Sequence, residues 1–203
     1  WQLNELRKLG VPVLMETEVT PELVKKEKPD VIFAATGADP IIPNIPGIDR
    51  PNVVTAHDVL AGKVNTGNSV VVVGGGCVGA ETANQLANYL KCVTIVEMLD
   101  AIAGDEIVVP RWDLLEDLDR NKVRICTKTT VDKITDAGVK VSGAVNEVIP
   151  CDTVVLAVGA KPVLGLADAL KKEGYDVRVI GDAAKVGLGG EAIMEGFEVG
   201  RTI

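Results

Sequence analysis

Aromatic side chains supply only 3% of this 203-residue sequence, and histidine occurs once, at His57. A core must therefore be built from aliphatic residues, which the 47% hydrophobic share allows. No apolar run reaches the ~18 residues that would read as a membrane span, so no membrane partner is expected. No block of Lys or Arg is present, and the formal charge is −8. Such a chain is poorly suited to gripping a nucleic-acid backbone, although a single nucleotide can be held by backbone amides alone. No basic n-region followed by an apolar h-region is found, so nothing indicates secretion. The four cysteines, Cys77, Cys92, Cys126 and Cys151, form no C-x-x-C and do not stand at metal-ligand spacing with a histidine. A redox disulfide, an iron–sulfur site or any metal site within the chain is therefore not expected. Scattered thiols fit a reducing, cytoplasmic setting, each as a small buried apolar residue. His57 reads as a solvated loop residue. The sequence opens at Trp1 in what reads as mid-helix, so it is expected to be a piece of a longer chain.

What is present is a series of short apolar runs punctuated by glycine. Residues 1–10 read as a helix with Trp1, Leu3, Leu6 and Leu9 on one face, stopped by Gly10. Residues 11–19 read as a strand, Pro21 opens a short turn or helix, and 31–38 is a strand buried on both faces. The proline-rich stretch from Pro40 to Pro51 reads as an extended connector, and 57–63 as a single helical turn. A strand, glycine turn and helix follow over 69–90, then a strand over 92–99. A helix over 111–122 carries Leu114, Leu115 and Leu118. Alternating residues over 123–150 predict a β-meander. A buried strand over 153–160, a strand and turn over 177–184 and a helix over 191–203 complete the chain. VIFAATGADP (31–40) and VVLAVGAKP (154–162) share one plan and are read as the places where the chain changes domain. The expected organisation is one domain over 65–158 inserted between 1–64 and 159–203.

The strongest motif is Gly74-Gly75-Gly76-Cys77-Val78-Gly79. Alone, G-x-G-x-x-G can be only a tight turn. Here Val70 to Val73 precede it, a helix-forming run from Ala80 to Leu90 follows it, and Glu97 ends the next strand about 20 residues on, where a ribose-binding acid is expected. Gly74 permits the turn out of the strand, Gly76 lets backbone approach a pyrophosphate, and Gly79 lets the helix pack against the strand. The helix N-terminus offers N–H groups and partial positive charge to phosphates. Glu97 is expected to accept from both adenosine ribose hydroxyls. With no Arg or Lys close behind it, a 2′-phosphate would be repelled, which favours NAD(H) over NADP(H). Glu81 is either a carboxylate favoured by the helix dipole or a contact near the nicotinamide. Gly159, at the end of the second echo strand, joins the candidate cofactor-binding residues. Asp100 and Asp105 read as surface or cap residues.

Four segments in this order, AATGADP (34–40), VVVVGGGCVGAE (70–81), VLAVGAKP (155–162) and VIGDA (179–183), resemble the pyridine nucleotide–disulfide oxidoreductases. The resemblance implies an α/β fold: a Rossmann-like NAD(H) domain with a small β-meander over 65–158, flanked by parts of a second, FAD-type Rossmann-like domain over 1–64 and 159–203. It implies that Thr36, Gly37, Gly181 and Asp182 face FAD. The C-terminal stretch from Gly181 onward is similar to that of NADH:flavin oxidoreductases related to 2,4-dienoyl-CoA reductase, 2-enoate reductase and trimethylamine dehydrogenase. In that group NADH reduces FAD, and electrons pass through an iron–sulfur cluster to FMN on an N-terminal barrel. The chain holds neither barrel nor cluster cysteines, and it lacks the first glycine turn that would hold the ADP part of FAD. It is therefore expected to bind NADH, to be inactive alone, and to have the remaining domains of a parent flavoenzyme as partners. Two other readings stand beside this one. One is a nucleotide-binding module, structural or regulatory, that never oxidises its ligand. The other is an NADH:acceptor or disulfide reductase, which the missing C-x-x-C disfavours.

Overall fold

The computed structural model describes residues 1–104 and 108–203; Asp105 lies outside the described residues. Its strands are β1 (Ile32–Ala34), β2 (Ala38–Pro40), β3 (Val53–Thr55), β4 (Ser69–Val73), β5 (Cys92–Val96), β6 (Arg124–Cys126), β7 (Thr129–Thr135), β8 (Gly138–Gly143), β9 (Glu147–Ile149), β10 (Thr153–Leu156), β11 (Ala160–Pro162) and β12 (Val177–Val179). Its helices are α1 (Gln2–Lys8), α2 (Pro21–Glu27), α3 (Ala56–Leu60), α4 (Cys77–Asn88), α5 (Val108–Arg120), α6 (Gly165–Lys172) and α7 (Gly189–Gly200), with a 3₁₀ turn at Gly181–Ala183.

The chain forms two compact units, 38–161 and the pair of segments 1–37 and 162–203. The first is built on a five-stranded sheet in the order β3-β10-β4-β5-β6, parallel at every pairing. Parallel strands covered on both faces read as unbroken apolar runs, and β4 shows why. Val70 and Val72 join the cluster that Ala80, Ala83, Leu86 and Leu118 of α4 and α5 complete. Val71 and Val73 enter the cluster on the opposite face, with Ile134, Val139, Val141 and Ile149 of the antiparallel meander β7-β8-β9. The Rossmann-like α/β class expected from the sequence is present, with its meander.

Several local expectations change. Residues 11–19 form no strand: Glu16 sits at φ 52, which breaks extension, and Val11, Val13, Leu14 and Met15 are exposed with no ladder to join. Residues 124–126 leave the meander and pair with β5 as the outer parallel strand, Ile95 opposite Ile125. The proline-rich connector yields β3, which pairs with β10, and Thr55 then caps α3 by accepting from the Asp58 amide at 3.1 Å. The segment 38–64 therefore packs with the central unit, which begins ahead of residue 65. Of the cysteines, Cys126 is buried but Cys92 is exposed, since it opens β5 at the sheet's end. Burial pushes the thiols of Cys126 and Cys151 upward in pKa.

The other unit pairs β1 with β12 in parallel around Val24, Ala34, Ala167, Leu170 and Val177. Ala167 and Leu170, three positions apart, give α6 its buried face; α6 was not foreseen from the sequence. No helix among the described residues is long and apolar enough to cross a membrane.

Candidate nucleotide site

The site forms where β4 stops. Gly74 leaves the strand at φ 99, a left-handed conformation that favours glycine, and a Cβ there would run into the Ala157 carbonyl. Its amide donates to the Val96 carbonyl at 2.9 Å, tying the turn to the end of β5. At Gly75 a Cβ would meet Ile102 and Glu97. Gly76 is the N-cap of α4, and its carbonyl accepts the first helical bond, from the Ala80 amide at 2.9 Å. Gly79 lies one turn in, where a Cβ would strike the Gly74 carbonyl. Helix and turn are thus in backbone contact, as the motif requires. Cys77 and Val78 form the first turn of α4, which among the described residues has no side-chain capping bond and no acid in that turn.

Glu97 follows β5 directly and is buried. Its Oε2 accepts from the Gly75 amide at 2.6 Å and its Oε1 from the Leu99 amide at 2.7 Å. The loop beyond it is pinned twice. The Ala103 amide donates to the Gly75 carbonyl at 2.6 Å, and the Arg111 guanidinium donates to the Ile102 carbonyl at 3.1 Å.

These groups open into a cavity of about 920 Å³ at the carboxyl ends of β4, β5 and β10. The chain runs from β4 outward to β5 on one side, while β10 lies on the other. That is the topological switch point at which open parallel sheets receive ligands. Gly74, Gly75, Gly76, Glu97 and Gly159 all line it, Gly159 at φ 95. Glu97 is the only charged residue among the described residues of the lining. The walls were not foreseen: Ile41, Pro43 and Ile45 come from the connector, Met98 and Leu99 from the loop after Glu97, and Thr129 to Val131 from the meander. The apolar pair Met98 and Leu99 immediately behind the acid was the sequence signal available.

Glu81 is placed elsewhere. It is exposed and lines a separate groove between α4 and α5, with Asn84, Asp113 and Asp117. The four residues assigned to flavin lie in the other unit. There the Thr36 hydroxyl donates to the Val163 carbonyl at 2.5 Å, and Gly37 has φ 72. The Gly181 amide donates to Glu195 at 2.7 Å, and Asp182 accepts from the Gly187 amide at 3.2 Å. Asp100 is exposed, and so is His57, which lies in α3 and not in a loop.

Fold and glycine turn together define a Rossmann-like α/β protein. Residues 16–183 match the profile of the pyridine nucleotide-disulphide oxidoreductases, and the chain belongs to that family. It is 40% identical to an NADH oxidase of Thermoanaerobacter brockii, over 98% of this chain and 32% of that protein. It is 39% identical to a bilirubin reductase of Mediterraneibacter gnavus, over 88% of this chain and 28% of that protein. A solved 2-naphthoyl-CoA reductase, in complex with 2-naphthoyl-CoA, superposes with a TM-score of 0.93 at 34% identity, covering 99% of this chain and 31% of that one. The chain thus spans about a third of the length of these relatives.

Proposed function

We propose that this chain is the NADH-binding module of a larger flavin-dependent oxidoreductase. The observation that carries the reading is the cavity: a glycine turn, an uncapped helix N-terminus and one buried carboxylate meet there, with no cation in the described lining. The turn and the α4 terminus suit a diphosphate. Glu97 retains lone pairs for ribose hydroxyls after binding its two amides, since a carboxylate offers about four acceptor positions. The apolar wall of Met98, Leu99 and Val131 suits a purine ring. Gly74, Gly75, Gly76, Cys77, Val78, Gly79, Glu97 and Gly159 are the residues we assign to NAD(H). Glu81 is left out, because it lines another groove.

A bound reduced nicotinamide would supply a hydride for a flavin of the parent enzyme. The residues of this chain need only hold and orient the dinucleotide and keep the 2′-position free of phosphate. We assign 1–37 and 162–203 to part of an FAD-type domain, with Thr36, Gly37, Gly181 and Asp182 toward the flavin. We further assign the parent to the cytoplasm, and to the group that also carries an FMN barrel and an iron–sulfur cluster. The similarity to an NADH oxidase and to 2-naphthoyl-CoA reductase, each about three times as long as this chain, supports a larger oxidoreductase as the parent. Titration calorimetry of the chain with NADH tests the core of the reading: one-to-one binding is expected, and absence of binding overturns it.

A further inference from the structure

Glu97 is 7% exposed and has no cationic partner among the described residues. A buried charge of that kind persists only where hydrogen bonds replace water. Both bonds come from backbone amides on different loops: Gly75, after β4, and Leu99, after β5. The carboxylate therefore bridges the two sides of the cavity floor. It meets the glycine turn at Gly75, next to the residue that caps α4. The remaining acceptor positions of Glu97 stay available to the cavity, which it lines.

Resting on the reading that this cavity takes NAD(H), we propose that Glu97 is a positioning residue as well as a ribose acceptor. Its carboxylate clamps the Gly75 and Leu99 amides and so fixes the glycine turn for the diphosphate before any nucleotide enters. The two roles use different lone pairs and can be separated. Ribose recognition requires hydroxyls on the ligand. The clamp acts on the diphosphate end whether or not those hydroxyls exist.

The test uses the full 203-residue chain and two probes, ADP and 2′,3′-dideoxy-ADP, each titrated against the unaltered chain and against Glu97→Gln. A glutamine offers one acceptor oxygen in place of two, so one of the two amide bonds is lost. Glu97→Gln is expected to weaken both probes at least fivefold. Weakening of ADP with unchanged affinity for the dideoxy probe overturns the clamp and leaves the ribose role standing. Failure of the unaltered chain to bind ADP or NADH overturns the nucleotide reading itself, a distinct result. Amide exchange of the nucleotide-free, unaltered chain decides independently of any variant's folding. Slow exchange at both Gly75 and Leu99 supports the clamp, and exchange at the solvent rate at either position overturns it.

Discussion

A methyl group at position 79 has no room, because it would fall on the Gly74 carbonyl oxygen, which is backbone and cannot step aside. Gly79→Ala is therefore expected to push α4 off β4 at a cost of about 1–3 kcal/mol. That appears as a fall in the thermal midpoint of roughly 2–4 °C per kcal/mol. The same change at Gly196, in α7 with no neighbour near its missing Cβ, has the opposite sign. There Ala is expected to raise stability by about 0.5–1 kcal/mol through helix propensity. Gly76→Val tests the ligand side, since φ −64 at Gly76 suits any residue. The fold is expected to persist by circular dichroism while NADH binding is lost; undiminished binding would reduce the turn to a structural device. In the cavity, Glu97 is a lone carboxylate with no cation among the described residues of the lining. NADH is expected to bind at least tenfold tighter than NADPH, about 1.4 kcal/mol, by titration of each. Equal affinities would remove Glu97 from that role. The meeting of Gly74, Gly75, Gly76 and Glu97 around one cavity was legible in the sequence because the strand–turn–helix pattern that brings them together is local. That Glu81 lines a different groove was not legible, because sequence spacing gives distance from the turn and not the face of α4 on which a side chain emerges.

Among the elements, β4 and β10 are joined at their starts by Asp152. Its Oδ2 accepts from the amides of Asn68 and Ser69 at 2.9 and 2.8 Å, and the Ser69 amide holds its carboxyl below the usual aspartate range. A folded-state pKa lowered in this way adds stability above the unfolded value of ~3.9 and loses it as pH falls through the folded value. The stability difference between the chain and Asp152→Ala is thus expected to be largest near neutrality and to close on acidification below ~4. Denaturant unfolding at a series of pH values measures it, and a gap independent of pH counts against the carboxylate. The strands that Asp152 ties were plain in the sequence, being β-branched runs covered on both faces. Strand β3 was not, because three residues between prolines and a helix carry no periodicity; its ladder with Val154 to Leu156 creates it. The reverse error at 11–19 has the same origin. Val11, Val13 and Val19 have strand propensity but, among the described residues, no strand to bond, and propensity without a ladder does not make a strand. The walls supplied by Ile45 and Thr130 were hidden in the same manner, since they reach the cavity only through tertiary packing.

For the molecule as a whole, one glycine turn of the dinucleotide kind lines the cavity that Glu97 also lines, and we assign that cavity to NAD(H). A flavin diphosphate needs its own turn and helix terminus. A Gly-Asp pair offers the ribityl chain a bond or two of about 1–3 kcal/mol each, less than the lost freedom of a cofactor costs. The purified 203-residue chain is therefore expected to be colourless and the intact parent yellow. A stoichiometric flavin band from the chain alone would show the flanking segments misassigned. The repeated plan at 31–40 and 154–162 marked where the chain passes between units more accurately than the expected boundary at 65, because β2 and β11 lie within those repeats. Those two short strands are hydrogen-bonded neighbours, so the 38–161 unit begins and ends at one place. A unit with adjoining ends can be spliced into a surface loop of an unrelated host, or closed on itself and reopened elsewhere, without stretching either partner. Evolution could thus have acquired it as a portable cassette, and protein engineers can move it in the same way.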